Sequence, residues 1–90
     1  MKPIRFSTHA HIQMVMRGAS EEEVIKAIRS STWIAAKMGK FQTQYRYEFN
    51  KKALTNQKFY KYKTVEPVFA DEQDKITVVT VKVYYSNEEV

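Results

Sequence analysis

The sequence predicts one α+β domain over residues 1–90: a short N-terminal strand, a two-helix hairpin, then a twisted, mainly antiparallel sheet of about four strands. Three observations carry this. Ninety residues suit one hydrophobic core and leave too little chain for two. Apolar residues recur at helical spacing up to Thr32 and then give way to β-branched and aromatic runs. Gly39 and Pro67 fall between or within those runs, where turns and interruptions belong.

Lys2 to Phe6 alternates enough for a first strand, and Ser7 or Thr8 offers a hydroxyl to cap a helix that begins near His9 and ends at Gly18. Ala10 and Met14, with Val15 beside them, form its apolar stripe, while His9, Gln13 and Arg17 recur every four residues and share a polar face. Ser20 followed by Glu23 is a capping box, and Glu21, Glu22 and Glu23 occupy the first turn, where the helix dipole favours negative charge. Val24, Ala27 and Ile28 make the buried face of this second helix, with Ile25 alongside, and Ser30-Ser31-Thr32 ends it. The helices should form a hairpin jointed tightly at Gly18-Ala19.

Phe41, Thr43, Tyr45, Tyr47 and Phe49 alternate without a break against polar residues, the pattern of a strand with one buried face. Asn50 to Gln57 is polar enough to turn. Phe59 to Phe69 reads as a strand interrupted or sharpened by Pro67, a residue tolerated mainly at edges or bulges because it cannot donate to the ladder. Ala70 to Lys75 turns again, and the Val, Ile and Thr of Ile76 to Tyr85 predict a central strand covered on both faces for much of its length. Ser86 to Val90 reads as a frayed tail.

The absence of cysteine removes disulfides, thiolate zinc sites and cysteine nucleophiles. No stretch approaches the roughly 18 apolar residues of a membrane span, and the first residues do not read as a secretory leader, so the expectation is a cytoplasmic protein with no membrane partner. The formal charge is +5, but Lys37 to Lys63 holds eight basic residues against the single acid Glu48, leaving +7 there and −2 in the remainder. Such a segment attracts polyanions. It equally suits lysines that solvate strand edges and deter sheet-to-sheet association.

His9 and His11 are the side chains that titrate near neutrality without a perturbed environment. They stand two apart and so point to different sides of a helix, without a convenient third ligand, and no metal site or other cofactor is expected. His9 at a helix N-terminus faces the positive end of the dipole, which favours the neutral imidazole that a general base requires. The bland alternatives are a histidine bonded within the first turn and, for Arg17, a cation that complements the helix C-terminus. No glycine-rich phosphate loop and no nucleophile elbow is present.

The arrangement that remains is metal-independent RNA cleavage, in which a ribose 2′-hydroxyl attacks the adjacent phosphate. His9 is the candidate base, Arg17 with Lys82 the phosphate clamp, and Tyr84 the acid or a stacking platform. Gln13, Arg46, Lys61 and Lys63 are candidate nucleic-acid contacts, with Tyr45, Tyr60 and Tyr62 as further aromatic ones.

The run Ile4-Arg5-Phe6-Ser7-Thr8-His9-Ala10, then Met14, Arg17-Gly18-Ala19-Ser20 and Glu23-Val24, resembles the bacterial family called domain of unknown function 4258. Its members read Phe-Thr-x-His-Ala, an Arg-Met pair, Arg-Gly-Ile-Ser, then an acid and Val, and Val78-Val79-Thr80-Val81 looks like its closing strand. That family is similar to the RelE and BrnT ribonuclease toxins, small domains whose helices precede an antiparallel sheet. The resemblance implies a toxin-like ribonuclease acting on free RNA or on ribosomes, with an antitoxin protein as partner; a homodimer through a sheet edge is also allowed. It implies roles for His9 and Arg17, the family's most characteristic polar positions. This chain departs from the pattern at Gln13, where the family carries arginine, and at Ala19, where it carries isoleucine. Gln13 retains hydrogen-bonding capacity toward a phosphate but not the charge. The other reading is a binding module without catalysis.

Overall fold

The computed structural model describes residues 1–88. The chain forms β1 (Ile4–Phe6), α1 (Thr8–Arg17), α2 (Glu21–Ser30), β2 (Ile34–Ala35), a 3-10 turn (Lys37–Gly39), β3 (Phe41–Gln42), β4 (Tyr45–Lys52), β5 (Phe59–Asp71) and β6 (Ile76–Ser86). The fold is α+β, as predicted, with a six-stranded sheet in place of about four strands. Its order is β1-β6-β5-β3-β2, and β4 continues β3 along the same edge of β5. Every pairing is antiparallel except that of β1 with β6. No helix among the described residues is long and apolar enough to cross a membrane.

The local signals for the helices are realised in detail. Ser7 caps α1 by accepting from the Ala10 N–H at 3.0 Å, and Gly18 closes it in the left-handed conformation, φ 84°. Ser20 and Glu23 exchange both bonds of the capping box, at 3.1 and 2.9 Å. The expected hairpin is one of connectivity more than of packing, since α1 lies chiefly against β6 and α2 against β5. Ala10, Met14, Val24 and Ile28 join Val65, Phe69, Val78 and Val81 in one core on that face of the sheet. Val15 does not share it: this residue is 78% exposed, with Ile12 and Met16 also on the outer side of α1.

Trp33 roofs the far end of the core. Its ring meets Phe69 edge-on at 4.9 Å and Phe41 at 5.5 Å, and its indole N–H donates to the Ile28 carbonyl at 2.8 Å, ending α2 with a satisfied backbone group.

One sequence expectation for the sheet is corrected here, and Pro67 explains it. Pro67 lies inside β5, flanked by β6 and by the β3–β4 edge, and stands beside the irregularity in register between Val68 and Phe69, the bulge setting that the sequence allows for it. The predicted unbroken strand from Phe41 to Phe49 is divided at Thr43–Gln44. The register between this stretch and β5 is the same on either side of the gap, which sets Thr43 opposite Pro67. Thr43 donates its N–H to the Pro67 carbonyl at 3.3 Å, and the return bond is missing because proline has no N–H. The side-chain hydroxyl of Thr43 instead bonds the Thr32 carbonyl at 3.0 Å, tying the interrupted strand to the end of the helical layer.

The other corrected strand is β6, predicted as covered on both faces for much of its length. A bulge leaves Val79 without a β5 partner, because Val78 pairs with Phe69 and Thr80 with Val68. The extra residue reverses the alternation, so Ile76 and Val78 before it and Val81 after it are all buried in the helix-side core. Thr80, Lys82 and Tyr84 are thereby turned to the opposite face, where Lys82 and Tyr84 are exposed.

Tyr47 reports how tightly β4 is held against α2. Its hydroxyl donates to the Glu23 carbonyl at 2.8 Å, and burial, then the Glu23 charge and neighbouring Tyr45, push its pKa from 10.0 up to about 12. A raised tyrosine pKa favours the protonated native state, so this contribution is intact below pH 10 and is lost as pH rises toward 12. Alkaline unfolding followed alongside tyrosinate absorbance should therefore show stability falling across that window. Tyr47→Phe should flatten the fall while costing about 1 kcal/mol at neutral pH for the lost bond.

Candidate functional site

Once β1 ends at Phe6, β6 presents an edge without a neighbouring strand, and α1 fills part of the vacancy. Val81 pairs with Pro67, whose backbone faces the other way, so the Val81 N–H and C=O point outward. The Val81 N–H donates to Gln13 Oε1 at 2.8 Å, and Arg17 Nη1 donates to the Val81 carbonyl at 2.8 Å. One acceptor and one donor, four residues apart on one helix face, stand in for a missing strand. Gln13 and Arg17 thus have a structural task. Arg17 retains further N–H groups, because a guanidinium carries five donors.

A groove of about 440 Å³ runs along this edge, lined by Gln13, Arg17, Thr80, Lys82, Val83 and Tyr84. Four of the predicted site residues, Gln13, Arg17, Lys82 and Tyr84, meet here. Tyr84 is 50% exposed, with room to stack against a planar group. The groove combines two cations with hydrogen-bonding groups from both lips.

His9 is exposed and lies outside the set lining the groove. It stands eight positions before Arg17, roughly 12 Å of helix rise. The other histidine, His11, stacks on Phe6 at 5.4 Å between ring centres and bonds Glu21 at 2.9 Å, linking the helices. Among the described residues no cluster of three His, Cys, Asp or Glu side chains stands in metal-binding arrangement.

The remaining predicted contacts disperse. Arg46 lies over the Tyr62 ring at 3.9 Å on the sheet face away from the helices and hydrogen-bonds the Glu88 carbonyl. Lys61 is exposed beside the chain's end, its N–H bonded to Asn87 at 2.8 Å. Lys63 is a different case. It is 5% exposed on the helix side, its ammonium bonded to Glu23 and to the Gly18 carbonyl, each at 2.8 Å. A lysine so committed belongs to an internal ion pair and is not available to a nucleic acid, contrary to the expectation from sequence. Tyr45 lies under Lys26 at 4.8 Å and against Tyr47 at 4.7 Å, and Tyr60 against Tyr85 at 5.5 Å, so both aromatic platforms are already engaged in part.

No protein-family model matches the chain, and comparison with curated proteins and with solved structures gave no match.

Sequence reasoning passed over Glu66. It is 5% exposed, accepts a hydrogen bond from Gln44 at 3.0 Å, and stands directly across the ladder from Lys82. A carboxylate placed there offsets part of the Lys82 charge, which leaves Arg17 as the less compensated cation of the groove. Its signal was present as a lone acid within an apolar strand, but its pairing depends on a register that only the fold supplies.

Proposed function

We propose that this protein is a toxin-like, RNA-directed domain that holds the ribose–phosphate backbone in the groove between α1 and β6 and cleaves it without metal, as a metal-independent ribonuclease of a bacterial toxin–antitoxin system. The single observation that carries the reading is the meeting of Arg17, Lys82, Gln13 and Tyr84 in that groove. Arg17 and Lys82 supply charge to a crowded phosphate, Gln13 a hydrogen-bonding amide, and Tyr84 a stacking surface or a proton for the leaving oxygen. His9, at the N-terminal end of the same helix, is the candidate base. The cellular setting is cytoplasmic, with RNA or the ribosome as target and an antitoxin protein as partner.

A second reading, binding without cleavage, is favoured by the position of His9. A base some 12 Å of helix rise from the phosphate clamp is poorly placed to serve the same phosphate.

One experiment separates the readings. Labelled RNA is incubated with wild type, His9→Ala, Arg17→Ala and Lys82→Ala, each first verified as folded, with and without ribosomes, and products and binding are followed together. The ribonuclease reading expects 2′,3′-cyclic phosphate ends from wild type, lost in His9→Ala and Arg17→Ala. Either reading expects Arg17→Ala and Lys82→Ala to weaken binding by roughly fivefold to tenfold each, about 1–1.4 kcal/mol, with the salt slope shallower by about 0.7 per phosphate contact removed. Binding without products selects the second reading. Wild type that neither binds nor cleaves at low salt rejects both.

A further inference from the structure

The sheet face away from the helices carries a second recess, of about 410 Å³, beneath the Lys37–Gly39 turn. Three lysines line it, Lys37, Lys40 and Lys82, over a floor that includes Val68 and Val79. No carboxylate is among the described residues lining it and no ion pair among them engages the three lysines, although Glu66 stands across the ladder from Lys82 and offsets part of its charge, which leaves Lys37 and Lys40 as the uncompensated pair. Charge of one sign over apolar floor is a poor design for a surface whose only task is solvation. It matches a ligand with an anionic edge and an apolar, planar body.

The turn above the recess is held in an unusual conformation. Met38 adopts φ 60° and ψ 39°, a left-handed geometry that a side chain rarely takes, and Gly39 follows at φ 73°. The turn is closed by the Ala36 N–H to the Lys40 carbonyl at 2.8 Å and the Lys40 N–H to the Lys37 carbonyl at 3.3 Å. This arrangement sets Lys37 and Lys40 on either side of the turn and leaves Met38 90% exposed between them. Backbone held in sparsely populated conformations clusters at ligand clamps and active sites. A thioether on a lysine-rich turn also supplies a polarisable contact for an aromatic ring.

The recess is continuous with the groove at the β6 edge, because Thr80 and Lys82 line both. We propose that the recess is a nucleotide subsite for single-stranded RNA, flanking the α1–β6 groove. Lys37, Lys40 and Lys82 hold the phosphates of a neighbouring nucleotide, and its base lies against Val68 and Val79, with Met38 above and the Gln42 amide available to a base edge. A strand leaving the groove past Lys82 thus crosses the open face of the sheet. The inference rests on the RNA reading of the groove and adds to it a second binding position and a direction for the chain.

The test is fluorescence anisotropy of a labelled oligouridine across a range of salt, using full-length protein. Lys37→Ala/Lys40→Ala is compared with Lys52→Ala/Lys58→Ala, a pair of exposed lysines near the β4–β5 connection that removes the same charge, and with Arg17→Ala. The turn pair should lose about tenfold or more in affinity with a salt slope shallower by about 1.4, the value for two phosphate contacts on a single strand, while the control pair keeps the wild-type slope. Inorganic polyphosphate of equal charge should bind wild type more weakly than the oligouridine, because it has no base for the apolar floor. Equal losses in the two lysine pairs overturn the subsite while an effect of Arg17→Ala leaves the groove reading standing. Polyphosphate binding as tightly as RNA overturns the base contact. A wild type that binds no RNA overturns both the subsite and the groove reading.

Discussion

Replacing Glu23 by alanine should lower the unfolding free energy by about 3–5 kcal/mol, a large share of the roughly 5–15 kcal/mol available to a small domain. Glu23 performs three tasks at once. Its side chain accepts from the Ser20 N–H in the capping box, both of its carboxylate oxygens contact the Lys63 ammonium at 2.8 Å, and its backbone carbonyl receives the Tyr47 hydroxyl. The cap alone is worth about 1 kcal/mol. The larger part comes from Lys63, whose side chain is 7% exposed and would keep only the Gly18 carbonyl as partner. Each kcal/mol lowers the melting temperature of a domain this size by roughly 4–8 °C, so the midpoint should drop by at least about 12 °C. Glu23→Ala/Lys63→Met should recover most of the loss, since removing both desolvated charges leaves only the cap deficit. Thermal and urea unfolding of the two variants decide the matter. A loss near 1 kcal/mol in the single variant would mean that Lys63 finds water, and the pair would then count as a cap with an incidental neighbour.

The capping half of that interaction was legible in the sequence and the ion pair was not, for a physical reason. Ser20 and Glu23 are three residues apart, and the geometry of a first helical turn brings them together whatever the rest of the chain does. Lys63 is forty residues further on and meets Glu23 only once β5 has paired with β4 and docked on α2. The same division runs through the sheet. Alternation from Phe41 to Phe49 correctly gave the inward face, because side-chain direction in a strand is a local property. The break at Thr43–Gln44 depends on Pro67, which lies across the ladder, and the bulge at Val79 depends on strand pairing.

The candidate site divides likewise. That Gln13 and Arg17 share a helix face, and that Lys82 and Tyr84 share a strand face, follows from periods of 3.6 and 2. That the two pairs meet in one groove follows from the short β1, which stops after three residues and exposes the β6 edge to α1. The sequence assigned Gln13 and Arg17 to phosphate, while the fold uses both to satisfy Val81. These uses are compatible for Arg17, which has donors to spare. They compete for Gln13, whose carbonyl oxygen is engaged and whose amide NH₂ is what remains for a ligand.

Gly18→Ala should cost about 2–3 kcal/mol and disturb the groove from behind. Gly18 sits at φ 84°, where a side chain costs roughly 1–2 kcal/mol. A Cβ there would stand 2.8 Å from the Tyr85 hydroxyl, closer than such atoms approach. That hydroxyl donates to the Arg17 carbonyl at 2.5 Å, and burial, then the Glu23 charge, raise its pKa and keep it protonated as a donor. The ring cannot simply swing aside, because it packs against Phe49 at 5.3 Å and Tyr60 at 5.5 Å. Displacing it sacrifices a hydrogen bond worth about 1 kcal/mol and loosens the turn that carries Arg17 into the groove. Tyr85→Phe removes the clashing oxygen, so Gly18→Ala/Tyr85→Phe should be more stable than the two single losses added together, by about 1 kcal/mol in a double-mutant cycle. RNA binding by Gly18→Ala, measured on protein still folded at low temperature, should weaken in the same direction as Arg17→Ala. A single-variant loss below about 1 kcal/mol, with additive behaviour in the cycle, would mean that Tyr85 moves freely and adds little to the helix joint.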